Sequence, residues 1–222
     1  GAYSDDTQLR LATCRAIRGN GYFDVESFAK IELTVWQAYA LGAGRGSKAA
    51  AAALCNRSSN WFSNFFSNYE NGGGNGAAMR VQPHVWAAGN LADKASYIPD
   101  VIRNALCTHG HMRGIAGAVV HAASLAHVFI TGKPLSPDQW PALANDIRAI
   151  PGMISGDNEL MTFWVPTWTQ KSRQTLEDAV DTVAREWEDA SRSAASILLA
   201  RAPCDFSAIY EEVVRTLNGL NA

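Results

Sequence analysis

"GIAGAVVHAASLAHVFITGKP", residues 114–134, has no acidic, lysine or arginine side chain before Lys133 and is built almost wholly from small and apolar residues. Gly132 and Pro134 form a helix stop, so the stretch reads as a helix. Apolar side chains fall on nearly every face, and such a helix must be wrapped by close neighbours. It is therefore read as the central helix of the fold.

The rest of the chain supplies the neighbours. In "DVESFAKIELTVWQAYALG", residues 24–42, Asp24 is a plausible N-cap, Val25, Phe28, Ile31, Val35, Trp36 and Tyr39 form an apolar face, and Gly42 is the stop. Between Thr169 and Ala200, Leu176, Val180, Val183, Trp187, Ala190, Ala194 and Ile197 recur at alternating four- and three-residue steps, which predicts one long helix. A last amphipathic helix is predicted from Asp205 to Gly219 on Phe206, Ile209, Val213 and Leu217. No alternating strand or hairpin signal interrupts these patterns, so the class is all-α. At 222 residues with no internal repeat or linker, the expectation is one compact helical domain over residues 1–222.

Composition narrows the function. A hydrophobic fraction of 47%, a charged fraction of 18% and a net charge of -2 suit a globular protein and exclude a disordered one. That balance also argues against a general nucleic-acid binder, which needs a basic surface to displace counterions from phosphates. Cys14, Cys55, Cys107 and Cys204 include no Cys-x-x-Cys pair, so reduced thiols are the simpler reading. No leader is visible and no apolar run approaches the ~20 residues of a membrane helix, which predicts a cytoplasmic protein without a membrane partner.

Unusual residues gather in the segments between helices. Near the start, "YSDDTQL", residues 3–9, sets Asp5 and Asp6 between Ser4 and Thr7 ahead of an apolar helical pattern at Leu9, Ala12, Ala16 and Ile17. Capping and the helix dipole account for one Ser or Asp there, but not for both carboxylates flanked by hydroxyls. The alternative is a hard-cation site, since carboxylate and hydroxyl oxygens suit magnesium or manganese. Three oxygens from one turn are half a coordination shell. A terpene-forming enzyme would place a third Asp where Leu9 stands, so that reading ranks low.

In "NGGGNGAAMR", residues 71–80, Gly72, Gly73, Gly74 and Gly76 around Asn75 permit positive φ, which can turn successive amides toward one anion; a plain flexible turn is the other reading. Neither this stretch nor "GAGRGS", residues 42–47, is a Walker A loop, because no lysine precedes a Ser or Thr at the required place. In "CTHGHMRG", residues 107–114, His109 and His111 can both face a ligand if the segment is a loop, whereas a zinc site on Cys107, His109 and His111 lacks a separated partner pair. Arg80 and Arg113 are candidate phosphate contacts. His121 and His127, inside the apolar helix, read as core or interface histidines.

Taken together and in this order, "YSDDTQL", "GNGAAMRVQP" and "THGHMRGIAGA" resemble the ADP-ribosylglycohydrolase family. The resemblance implies an all-α fold around a two-metal magnesium or manganese centre and hydrolysis of the bond joining ADP-ribose to a protein side chain or related acceptor. On matching positions it implies Ser4, Asp5 and Asp6 as metal ligands, with Asp5 and Asp6 catalytic. It further implies Gly74, Asn75, Gly76 and Ala77 in the ADP-ribose loop, His109 beside the ligand, and Met79 and His111 as wall residues. The motifs reach from Ser4 to about Leu125, and residues 133–222 are not matched residue by residue. Two acidic family motifs have no clear counterpart, a "GDALG"-like one before the first Asp pair and an Asp-x-Asp-Thr one near the end; Asp178, Asp181 and Thr182 read instead as a solvated helix surface. The chain thus looks like the middle of a glycohydrolase. The competing expectations are an ADP-ribose or nucleotide binding module that has lost part of its metal site, and a helical interaction scaffold.

Overall fold

A computed structural model describes residues 3–200, and the helix expected over residues 205–219 lies outside the described residues. The architecture is all-α. Residues 114–131 belong to helix α7 (Met112–Thr131), which begins on His111 and ends on Gly132, whose left-handed φ of 69° lets its amide donate to the Val128 carbonyl. Gly114, Ala116, Ala118, Ala122 and Ala123 are buried along it, and these small residues allow neighbouring backbones to approach closely. Its last turn departs from the expectation: Val128, Phe129 and Ile130 are exposed. The expected absence of a long apolar run is also corrected. This helix is 20 residues long with a mean hydropathy of 1.6, enough by length and composition to cross a membrane, yet half of that apolar window is buried inside the protein.

Ahead of α7 in the chain come α1 (Asp5–Ala16), α2 (Val25–Ser27), α3 (Leu33–Trp36), α4 (Arg45–Leu54), α5 (Gln82–Trp86) and α6 (Ile98–Leu106), of which α5 and α6 pack directly on it. The C-terminal side adds α8 (Ala144–Arg148), α9 (Ile150–Ser155), α10 (Val165–Ser172) and α11 (Leu176–Ala200). One connected apolar cluster runs from Leu9 to Ala184. Among the described residues the sole β-type pairing is a bridge between Ile17 and Phe23.

The helix expected over residues 24–42 forms only in part. Asp24 caps it as read, accepting from the Ser27 amide at 2.9 Å, but α2 passes into a π turn (Phe28–Glu32) before α3. A π turn inserts an extra residue and rotates everything after it by about one residue's angle. The buried face becomes Phe28, Ala29, Leu33 and Trp36, while Ile31, Val35 and Tyr39 are exposed. The single helix expected from Thr169 to Ala200 is likewise two, since Arg173 sits at a left-handed φ of 58° and separates α10 from α11. Along α11, Leu176, Val180 and Val183 are buried as expected, whereas Ala190 and Ile197 are exposed and Ser191 and Ala195 take the inward places.

Helix α1 positions the acidic pair. Leu9, Ala12, Thr13 and Ala16 form its buried stripe, which leaves Asp5 and Asp6 at its open N-terminal end. Cross-ties hold it in register: Trp36 Nε1 donates to Gln8 Oε1 at 2.8 Å, Arg10 Nε to Gln82 Oε1 at 3.0 Å, and Arg10 Nη2 to the Met79 carbonyl at 3.2 Å.

Candidate functional site

The glycine loop and the histidine loop lie against each other. A Cβ on Gly76 would stand 3.0 Å from His109 Cε1 and 3.1 Å from Ser47 Oγ, one on Gly73 would stand 3.3 Å from the His111 ring, and one on Gly114 3.3 Å from the carbonyls of Gly72 and Gly74. These glycines serve close approach. None of Gly72, Gly73, Gly74 or Gly76 adopts positive φ, so the positive-φ anion nest weighed beside a plain turn does not form; a Cβ at Gly72, Gly73 or Gly76 would instead crowd its neighbours at 3.0–3.3 Å. Gly74 is open and exposed together with Gly73 and Asn75, while Ala77 is wholly buried and can offer only its backbone. Met79 is half-buried against the core.

The histidine segment is held from beneath. Gly110 donates its amide to the Tyr69 carbonyl at 3.1 Å, and its own carbonyl accepts from Trp168 Nε1 at 2.6 Å. Tyr69 in turn donates its hydroxyl to the Leu106 carbonyl at 2.7 Å and accepts from Trp164 Nε1 at 2.9 Å. Burial raises the Tyr69 phenol far above its ordinary value, so the group acts as a neutral strut. This pairing has no local sequence signal, since Trp164 and Trp168 stand far along the chain from Tyr69.

A buried polar chain joins the two loops to α1. Arg80 has no exposed surface; its Nε donates to Asn104 Oδ1 at 2.7 Å, and its Nη2 donates to the Asn104 carbonyl and to Thr108 Oγ1, both at 2.8 Å. Asn104 Nδ2 then donates to Thr13 Oγ1 at 3.1 Å, and Thr108 Oγ1 meets His109 Nδ1 at 2.7 Å. No carboxylate pairs with Arg80 among the described residues; the Phe28 ring lies 5.2 Å from its guanidinium carbon, and Nη1 is buried without a partner. Burial lowers the Arg80 pKa to about 10, so it keeps its charge at neutral pH. The expected phosphate contact is thus corrected for Arg80, which is structural. Arg113 is corrected as well: it is exposed and engages Glu186 of α11 through two hydrogen bonds of 2.8 and 2.6 Å.

His109 is almost fully buried, and burial together with the Arg80 charge pushes its pKa down to about 3. It is therefore a neutral hydrogen-bonding group across the physiological range. His111 does two things: it touches Gly73, and its Nδ1 accepts from the Arg113 amide at 3.1 Å, capping α7. His121 is tied to Gln82 at 2.8 Å, in keeping with its reading as a core histidine.

Ser4 precedes α1 without using its hydroxyl as a cap, and neither Asp5 nor Asp6 is ion-paired among the described residues. A Cβ on Gly42 would lie 4.0 Å from Asp5 Oδ1, so Asp5 faces the stretch that leads to Ser47 and thence to Gly76. Three free hard oxygens suit one magnesium or manganese ion with water completing its shell. Among the described residues no group of three or more Asp, Glu, His or Cys is placed to hold a metal ion together. Asp181 is engaged elsewhere, with Arg185 at 2.7 Å and Arg148 at 3.7 Å, in agreement with its reading as surface.

An all-α chain with an open acidic helix start and a glycine strand pressed against a neutral histidine is the setting in which the comparisons with known proteins fall. The sequence profile of the ADP-ribosylglycohydrolase family matches residues 1–217, and the chain belongs to that family of glycohydrolases. The match extends well past Leu125, through most of the stretch 133–222 that the motifs alone do not match residue by residue. No curated protein matches the chain.

Proposed function

We propose that the chain hydrolyses the bond between ADP-ribose and a protein side chain or related acceptor. The observation that supports this most is the contact of Gly76 with His109 and Ser47, which leaves a narrow strip of exposed backbone, Gly73 to Asn75, beside a neutral ring. Exposed amides without side chains can follow a diphosphate closely, fixing the ribose for attack. Magnesium or manganese held by Ser4, Asp5 and Asp6 would supply Lewis-acid polarisation and an oriented water. A carboxylate of Asp5 or Asp6 would take the proton of the attacking water as its oxygen bonds to the anomeric carbon, and would return it to the acceptor, which leaves with the electron pair of the broken bond. His109 and the glycine strand bind and orient. We take the setting to be cytoplasmic, where the free Cys14, Cys55 and Cys107 stay reduced.

The test is direct: the chain is incubated with magnesium or manganese and an ADP-ribosylated protein, and released ADP-ribose is measured. Release that disappears on chelation is the expected result, and no release with either ion counts against the proposal. A second reading, a binding module without catalysis, is favoured by the small acidic donor set among the described residues. Calorimetry separates the two, because that reading gives ADP-ribose binding indifferent to magnesium.

A further inference from the structure

We infer that Arg80, acting through Thr108, holds His109 in the tautomer with its proton on Nε2, so that the cradle beside Gly76 presents a fixed donor and selects an acceptor oxygen of the ligand. The identity of that ligand as ADP-ribose rests on the reading above; the tautomer does not.

The argument is a count of protons. A guanidinium only donates, so the bond from Arg80 Nη2 makes Thr108 Oγ1 an acceptor on that side. Thr108 is buried, and its hydroxyl has one proton to give; among the described residues the sole acceptor within its reach is His109 Nδ1, at 2.7 Å. Were Nδ1 protonated, it would take the second lone pair of Thr108 Oγ1 and the hydroxyl proton would be left buried and unpaired. Nδ1 is therefore the acceptor and Nε2 carries the hydrogen. No described residue pairs with Nε2, and the Nε2–Cε1 edge is the one that meets Gly76, 3.2 and 3.0 Å from the place a Cβ would occupy. A proton fixed there meets a phosphate or ribose oxygen as a donor.

The same guanidinium sets a second histidine the other way. Asn104 Oδ1 accepts from Arg80 Nε, which turns Asn104 Nδ2 toward Thr13 Oγ1 and toward His84 Nε2 at 3.2 Å. His84 then accepts at Nε2 and bears its proton on Nδ1. One arginine thus specifies opposite tautomers in two buried rings, and Arg80 is a positioning residue.

Long-range proton–nitrogen NMR of the 15N-labelled full chain at neutral pH reads both rings. Expected are an unprotonated Nδ1 in His109 and an unprotonated Nε2 in His84. Thr108→Val should move His109 toward a mixture and leave His84 unchanged, Thr108→Ser should restore the wild-type pattern, and Arg80→Lys, which lacks the fork, should disturb both rings. Should Arg80→Lys fail to fold, Thr108→Val and Thr108→Ser carry the test alone. ADP-ribose affinity, measured by calorimetry, should fall roughly threefold to tenfold in Thr108→Val and be retained in Thr108→Ser. A wild-type His109 protonated on Nδ1, or a His109 unchanged in Thr108→Val, overturns the inference. Failure of the wild type to bind ADP-ribose sinks the functional proposal instead and leaves the tautomer result standing.

Discussion

Gly110 lies flat against Tyr69, so close that a Cβ on it would stand 2.4 Å from two ring carbons and 2.7 Å from the Tyr69 carbonyl. Neither neighbour can yield, because the ring is pinned by the Leu106 carbonyl and the Trp164 indole, and the carbonyl accepts the Gly110 amide. Gly110→Ala should therefore destabilise the protein by about 2–3 kcal/mol, the range of overpacking in a tight core. Urea denaturation of the two forms checks this, and an unchanged midpoint would show that the His109 segment is not anchored as described.

Gly76 and Gly74 differ sharply although only Asn75 separates them. A methyl group at Gly76 meets His109 and Ser47 at 3.0–3.2 Å, while one at Gly74 meets nothing within 4 Å. Gly74→Ala should leave stability within about 0.5 kcal/mol of wild type. Gly76→Ala should displace the His109 ring and weaken ADP-ribose binding about tenfold or more, in line with a cradle that tolerates no added atom. Equal affinities for the two variants, measured by calorimetry, would remove Gly76 from the site.

The helices of the core were legible because their signals are local. Gly132 stopping α7 and Asp24 capping α2 need only their own neighbours in sequence. The π turn at Phe28–Glu32 carries no such mark, and one inserted residue was enough to expose Ile31, Val35 and Tyr39 and to bring Ala29 and Leu33 inward beside Phe28 and Trp36, which are buried as predicted. In the site, the glycines were recognised but for the wrong reason, since chain flexibility is a property of the residue whereas close approach is set by what packs on it. Arg80 was read as a candidate phosphate contact for the same cause: its partners Asn104 and Thr108 come from α6 and the loop after it, 24 and 28 residues away.

Acid should loosen the fold before the carboxylates titrate. His84 and His109 both have pKa values pushed from 6.5 down to about 3 by burial and the Arg80 charge. The unfolded chain takes up these protons below about pH 6.5 and the folded chain does not until about pH 3, so stability is full above that window and falls as pH drops through it. Each ring contributes about 1.4 kcal/mol per pH unit of decline. His111 and His121, also lowered by burial, act in the same direction. The depressed carboxylates of Asp24, Glu186 and Glu188 lose their share only at lower pH, and Glu26 and Asp100, raised by burial, oppose the trend near the carboxylate range. Denaturation midpoints at about pH 7 and pH 5 should differ clearly; a flat profile would mean that the two rings are protonated in the fold.

The acidic pair can be removed with little cost to the fold. Asp5 and Asp6 sit on the first turn of α1, only half-buried and without ion-pair partners among the described residues, and the buried stripe of the helix begins at Leu9. Their favourable interaction with the helix N-terminus is worth about 0.3–1 kcal/mol each, so Asp5→Asn and Asp6→Asn should fold. If the two carboxylates hold a hard cation, each substitution replaces a charged carboxylate ligand by a neutral amide. The loss should exceed the roughly 10–100-fold that even outer-shell changes cost in metal affinity or activity. Magnesium and manganese titrations followed by calorimetry, run beside the ADP-ribose release assay, check this. Variants that bind the ion as tightly as wild type would place the metal elsewhere, and variants that lose the ion yet release ADP-ribose at the wild-type rate would separate Asp5 and Asp6 from catalysis.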